Sequence, residues 1–147
     1  MAITQAVANS FKKELLEGTH KFQYTSGDTF KLALYSSTAT LNSATTAYTS
    51  TGEVGPSGDY VAGGGTLVKP NPSTSVASGV AIVTFANLSF TGVTITARGA
   101  LIYNTSSSNK AVAVLDFTSD KTATSGTFTI QFPAFTTSAA ILRIGNA

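Results

Sequence analysis

Thr94-Ile95-Thr96-Ala97-Arg98-Gly99-Ala100-Leu101-Ile102-Tyr103-Asn104, followed by Ala111-Val112-Ala113-Val114-Leu115-Asp116-Phe117, is the stretch that decides how this chain folds. Two apolar segments are separated by a polar tip, Thr105-Ser106-Ser107-Ser108-Asn109-Lys110. Val, Ile and Thr suit a pleated surface, so the pair reads as a β-hairpin at the centre of the fold. Arg98 and Asp116 are the charges set inside these hydrophobic runs. They are expected to form a structural ion pair across the hairpin, fixing strand register or a subunit contact. If that pair is buried, removing Arg98 costs about 3–5 kcal/mol.

The flanking segments repeat the strand-and-turn pattern. Residues 28–35 alternate, with Phe30, Leu32 and Leu34 on one side and Lys31, Ala33 and Tyr35 on the other, which predicts a half-buried strand. Residues 66–69 read as a short edge strand stopped by Pro70 and Pro72. Residues 73–78 read as a turn and 79–85 as a strand. Residues 87–92 and 119–126 read as turns from their Gly, Ser, Thr and Asn content. Phe128, Ile130 and Phe132 alternate as far as Pro133, and residues 139–144 close the chain. Seven or eight short strands with Gly/Pro/Ser turns predict a mainly β protein, a single β-sandwich or jelly-roll-like domain.

The N-terminal segment has a different period. Ile3, Val7, Phe11 and Leu15 recur every four residues, which predicts an amphipathic α-helix from about residue 2 to 17, with Thr4 or the preceding backbone as its cap. Gly18 is placed to end it in a left-handed conformation. The chain thus divides into a helix or arm, residues 1–18, and a β-sandwich domain, residues 19–147. The helix packs on its own sandwich or docks on a neighbouring subunit. Residues 36–65 are the least regular part, rich in Ser, Thr, Ala and Gly, with Tyr48, Val54, Tyr60 and Val61 as apolar anchors. So long a segment with aromatic anchors is expected to be an ordered excursion over the surface. Its end, Gly63-Gly64-Gly65, marks a sharp bend or close backbone approach.

Composition bounds the function. Of 147 residues, 42% are hydrophobic and 11% charged, against about 25% charged in an average soluble domain. A neutral, hydroxyl-rich exterior suits contact with other protein, because little charge must be desolvated. The net charge is +2, and the basic residues are scattered, with Lys12-Lys13 the one adjacent pair. Nucleic-acid binding wants them clustered, so no nucleic-acid partner is expected. There is no Cys, which removes disulfides and thiolate metal sites. No apolar run approaches the ~20 residues that span a bilayer, so no membrane partner is expected. The N-terminus lacks the basic and apolar regions of a secretion leader.

Catalytic patterns are missing. His20 is the sole histidine, with no Gly-x-Ser-x-Gly elbow in the chain, and its place after Gly18 suits a charge at a helix C-terminus. Asp28, Glu53 and Asp59 match no calcium-loop spacing. No catalytic residue, metal ligand or cofactor is expected. The five tyrosines, Tyr24, Tyr35, Tyr48, Tyr60 and Tyr103, suit a contact belt or a platform stacking on sugar. Phe11, Leu15, Tyr48 and Tyr60 are therefore the candidate interface residues.

Several blocks resemble a family of small virion proteins encoded in tailed-bacteriophage structural gene clusters. They are Ser10-Phe11-Lys12-Lys13-Glu14-Leu15-Leu16-Glu17-Gly18-Thr19-His20, Asp28-Thr29-Phe30-Lys31-Leu32-Ala33-Leu34-Tyr35, Thr46-Ala47-Tyr48 with Glu53-Val54, and Tyr60-Val61-Ala62-Gly63-Gly64. The hairpin from Thr96 to Asn104 and from Ala111 to Phe117 completes the set. The resemblance covers roughly residues 10–117 and rests on the shared order of the blocks. It implies a non-enzymatic particle component, located in the virion and assembled in the bacterial host cytoplasm. The first expectation is a capsid decoration or cement protein stabilising the head shell. Its partners are then the major capsid protein or other virion subunits, with homo-oligomers in the particle. The alternatives are a tail-associated subunit (tube, adaptor or fibre base) and a carbohydrate-binding module on the host-facing part of the particle.

Overall fold

The central hairpin is far longer than its two apolar runs. In the computed structural model, which describes residues 2–145, the elements in order are β1 (Ala6–Val7), α1 (Asn9–Leu16), β2 (Phe30–Tyr35), β3 (Gly65–Thr66), β4 (Thr74–Ala77), β5 (Val80–Val83), β6 (Leu88–Asn104), β7 (Lys110–Ile130) and β8 (Leu142–Ile144). They form two antiparallel sheets, one of five strands in the order β1-β7-β6-β2-β3 and one of three in the order β4-β5-β8. The mainly β, sandwich-like architecture with one short N-terminal helix is as expected. Met1, Asn146 and Ala147, included in the expected arm and domain, lie outside the described residues.

β6 and β7 pair from Asn104↔Lys110 down to Leu88↔Ile130. Residues 88–92 and 119–126, expected as turns, are therefore mostly strand. Their period is hidden by bulges. Between Ala97↔Lys121 and Gly99↔Asp116, Arg98 alone faces the four residues 117–120 of β7, where Thr118 has φ 65°. A bulge shifts the alternation and bends the strand without ending it. Below it, Phe90, Val93, Ile95, Ala97, Phe128 and Ile130 still turn inward, while Thr94, Thr96 and Thr122 face out. Threonine here is a β-branched strand residue, not a turn residue.

The upper half of the hairpin and β2 form the centre of the larger sheet. β2 is buried on both faces apart from half-buried Lys31, not half-buried as its alternation predicts. On the Phe30–Leu32–Leu34 side lies an aromatic layer: Phe30 stacks on Phe22 at 4.5 Å and packs with Phe85, while Phe11 reaches Phe22. The opposite side, with Tyr35 and the register pair Lys31↔Tyr103, is covered by the long segment 36–65. A strand roofed by irregular chain looks amphipathic in sequence yet is interior in the fold.

The N-terminal helix is shorter than its period suggests. It starts after Ala8, which has extended backbone and offers no side-chain cap, so Thr4 does not cap it. Ile3 forms a parallel bridge with Leu41, and Ala6 and Val7 pair with Val114 and Ala113. The four-residue spacing of Ile3 and Val7 is thus coincidental. Pairing on the edge of β7 satisfies backbone groups that an isolated first helical turn leaves open. Gly18 ends the helix at φ 77°. In the small sheet, residues 74–77 form β4 rather than a turn. Ser78 and Gly79, both at positive φ (50° and 76°), make the two-residue turn into β5. β3 lies at the sheet edge as expected but shares only Thr66 with the expected strand 66–69, and Leu67 N adds a hydrogen bond to Phe30 O beyond it.

Candidate functional site

One polar cluster is built around Glu53, inside the irregular segment. Its carboxylate accepts hydrogen bonds from Tyr48 Oη at 2.6 Å, Tyr60 Oη at 2.7 Å and Gly63 N at 2.7 Å. Tyr60 Oη also accepts from Leu34 N, which ties the cluster to β2. Tyr103 donates to Gly63 O and stacks on Tyr48 at 4.9 Å, and Tyr35 donates to Thr49 O. Burial first, and then the Glu53 charge, pushes the Tyr103 hydroxyl up to about 12. Burial likewise raises those of Tyr35, Tyr48 and Tyr60. Each hydroxyl stays protonated, donates, and fixes the excursion on the sheet. Tyr60 is fully buried and Tyr48 half-buried. Neither forms an exposed contact belt or a sugar platform, because both spend hydroxyl and ring inside the chain.

His20 lies in a second cluster beneath the helix. Its ring has no exposed side-chain surface; Nε2 meets Glu14 Oε1 at 3.0 Å and Nδ1 meets the Asn104 amide nitrogen at 3.0 Å. Asn104 Oδ1 accepts from Ser106 N, which fixes the amide orientation. Nδ1 is therefore the acceptor, and Nε2–H donates to Glu14. The Asn104 amide also donates to Asp28 Oδ2 at 2.8 Å, and Lys110 Nζ lies 3.6 Å from Glu14. His20 does not cap helix carbonyls as its position after Gly18 suggests; it joins α1 to the turn of the central hairpin. Its acceptor nitrogen is spent on an amide, so no hydroxyl is placed for it to activate.

Arg98 and Asp116 do meet: Arg98 Nε lies 3.5 Å from Asp116 Oδ1, with side chains 36% and 23% exposed. That makes a partly solvated pair at the bulge by side-chain exposure, although Arg98 Nε itself is buried and makes no hydrogen bond at this distance. Asp116 Oδ1 also accepts from Thr118 N, and Asp116 N donates to Gln5 Oε1. Beside it runs a cleft of about 610 Å³, walled by Phe117, Phe128, Phe132 and Ile141 with Asp116 and Lys121 at one end.

The remaining candidate interface residues are split by the helix. Phe11 is 4% exposed and belongs to the aromatic core; Leu15 is partly buried and packs against that core. Phe11 therefore cannot serve as outer contact surface. The next residue, Leu16, is 90% exposed. It borders an apolar groove of about 500 Å³ between α1 and the small sheet, lined also by Leu15, Ile82, Leu142 and Ile144. The sequence signal for this groove is Leu15-Leu16 itself, since an eight-residue helix turning one leucine inward leaves its neighbour outside.

Among the described residues, no group of three or more His, Asp or Glu side chains could hold a metal ion. Among the same residues, no helix is long and apolar enough to cross a membrane. Comparisons with protein-family models, with curated proteins and with solved structures found no match.

Proposed function

We propose that this chain is a non-enzymatic structural subunit of a tailed-bacteriophage particle, a decoration protein that stabilises the head shell through contacts with the major capsid protein. The carrying observation is the apolar groove beside Leu16, left open on a chain in which only 11% of residues are charged. Exposed apolar surface is cheap to desolvate and favours a protein partner, and the charges lining this groove are Lys12 and Arg143. The ordered sequence blocks over residues 10–117 supply the virion context by resemblance. The polar clusters support the same reading, since Glu53 and His20 hold segments of the fold together and neither presents a reacting group to a cleft.

Counting copies of this chain per major capsid protein in purified particles, by quantitative mass spectrometry, tests the proposal. A ratio near one, or one trimer per lattice unit, is expected. A few copies per particle moves the chain to the tail or a vertex. Absence from the particle overturns the virion reading.

A further inference from the structure

The outer edge of β7 is covered along its upper half and bare along its lower half. From Asn109 to Asp116 the chain covers it with its own segments. Tyr48 N bonds Asn109 O, Ala111 N bonds Thr46 O, Ala8 N bonds Val112 O, and β1 pairs with Ala113 and Val114. Past the bulge, residues 121–123, 126 and 128–130 pair with β6 on one side, with 124, 125 and 127 falling in register shifts. Among the described residues, no backbone hydrogen bond from another segment meets their other side. At about 3.3 Å per residue this leaves roughly 33 Å of unpaired strand edge. The matching outer edge of β6 is not bare, because Asp59 and Ser57 bond Thr91 and Thr94 along it.

Proteins blunt open edges with charge, proline, bulges or a covering segment. This edge has one charge, Lys121 at its end, no proline, and a bulge at residues 124 and 125 that leaves the stretches on either side of it open. Its residue pattern is also its own complement. Thr122, Thr124, Thr127 and Thr129 face out, Ala123 and Phe128 face in, and Ser125 (φ 46°) and Gly126 lie between the halves. Consider the strand laid antiparallel on a second copy, with a two-fold axis between Ser125 and Gly126. Thr122 then falls opposite Thr129, Thr124 opposite Thr127, and Ala123 opposite Phe128. Hydroxyls meet hydroxyls, small meets large, and both strands bend at the axis. Such cross-strand pairs are favourable, and a two-fold axis makes every contact twice. The adjoining cleft keeps this side open to a second strand.

We propose that residues 121–130 form a self-association edge whose occupant is the same edge of a second copy of this chain, joining two five-stranded sheets across a molecular two-fold. The proposal goes beyond the virion reading and does not depend on it. Of the other edge strands, β4 has four residues and lacks the self-complementary pattern, and β8 and β3 have three and two.

Sedimentation velocity on the full chain, over a concentration series, reads the outcome. The wild type is expected to pass from monomer to dimer. Thr124→Lys with Thr127→Lys sets lysine against lysine at two places per dimer, and association is expected to weaken about tenfold or more. Thr124→Lys with Thr127→Glu sets opposite charges at the same two places, and association is expected to return and to weaken with salt. Thermal melts confirm that each variant is folded. If the double lysine variant is not, Thr124→Glu with Thr127→Glu makes the same like-charge comparison. A chain that stays monomeric throughout overturns the proposal. So does a dimer indifferent to like charges at 124 and 127, or one lost on Val76→Lys in β4.

Discussion

Three donors converge on the carboxylate of Glu53, and all three belong to residues of the segment 36–65 that it anchors. Glu53→Ala leaves Tyr48 Oη, Tyr60 Oη and Gly63 N without their acceptor. A buried donor left unsatisfied costs about 1–3 kcal/mol. The site is half-buried rather than sealed, so the sum is expected near 2–4 kcal/mol, read as a lower urea midpoint at unchanged slope. Glu53→Gln keeps one oxygen and should fall between Ala and wild type. Arg98 gives the opposite expectation. Its partner is 3.5 Å away and both side chains reach solvent, so Arg98→Ala should change stability by no more than about 1 kcal/mol. A loss of several kcal/mol in the same urea experiment would mean the bulge closes over the pair in solution.

At the scale of elements, close backbone approach and free conformation can be separated by two glycines. Gly18 ends α1 at φ 77° with no atom within 4 Å of an added Cβ. Gly64 has nearly the same φ, 79°, but there a Cβ would run into the Leu32 carbonyl, where β3 lies on β2. Both alanine variants bear a left-handed penalty of about 1–2 kcal/mol. Only Gly64→Ala must also push β3 off β2, so its melting temperature should fall well below that of Gly18→Ala. Equal losses would show that the edge strand yields without cost. The Gly63-Gly64-Gly65 run announces this approach in the sequence. So do the apolar runs of the hairpin, because uninterrupted Val, Ile and Leu leave few other readings. The lower hairpin was not legible, since each bulge shifts the inward row by a residue and breaks the period of two that marks a strand. β1 was hidden for the reverse reason: Ile3 and Val7 happen to match a helical spacing, and only the tertiary edge of β7 decides against it. Residues 73–78 read as a turn because Thr74-Ser75-Val76-Ala77 is exposed throughout and lacks an apolar face. Of the site, the tyrosines were visible as a set, but the inward direction of Tyr48 and Tyr60 depends on Glu53, a residue with no local signature.

At the scale of the whole molecule, the tyrosines link protonation to folding. Tyr35, Tyr48, Tyr60 and Tyr103 lie where the irregular segment meets the larger sheet, and burial is the largest cause of the upward shift in each. In the unfolded chain each titrates near its ordinary value of 10.0, whereas folded Tyr103 holds its proton to about 12 and the other three are raised as well. Above pH 10 the folded state therefore binds more protons than the unfolded state, and stability falls as pH rises. The contribution is whole below pH 10 and is lost on the way to and through pH 12. It acts on several groups at once, so the loss should be steep and cooperative. An alkaline titration followed by tyrosinate absorbance and β-sheet circular dichroism should show the two signals changing together above pH 10. Detachment of the segment alone would separate them: tyrosinate would form first, with the sheet signal intact. That outcome would mean that the excursion over residues 36–65 opens independently of the two sheets and that the Glu53 cluster is a latch on one segment, not part of the cooperative core.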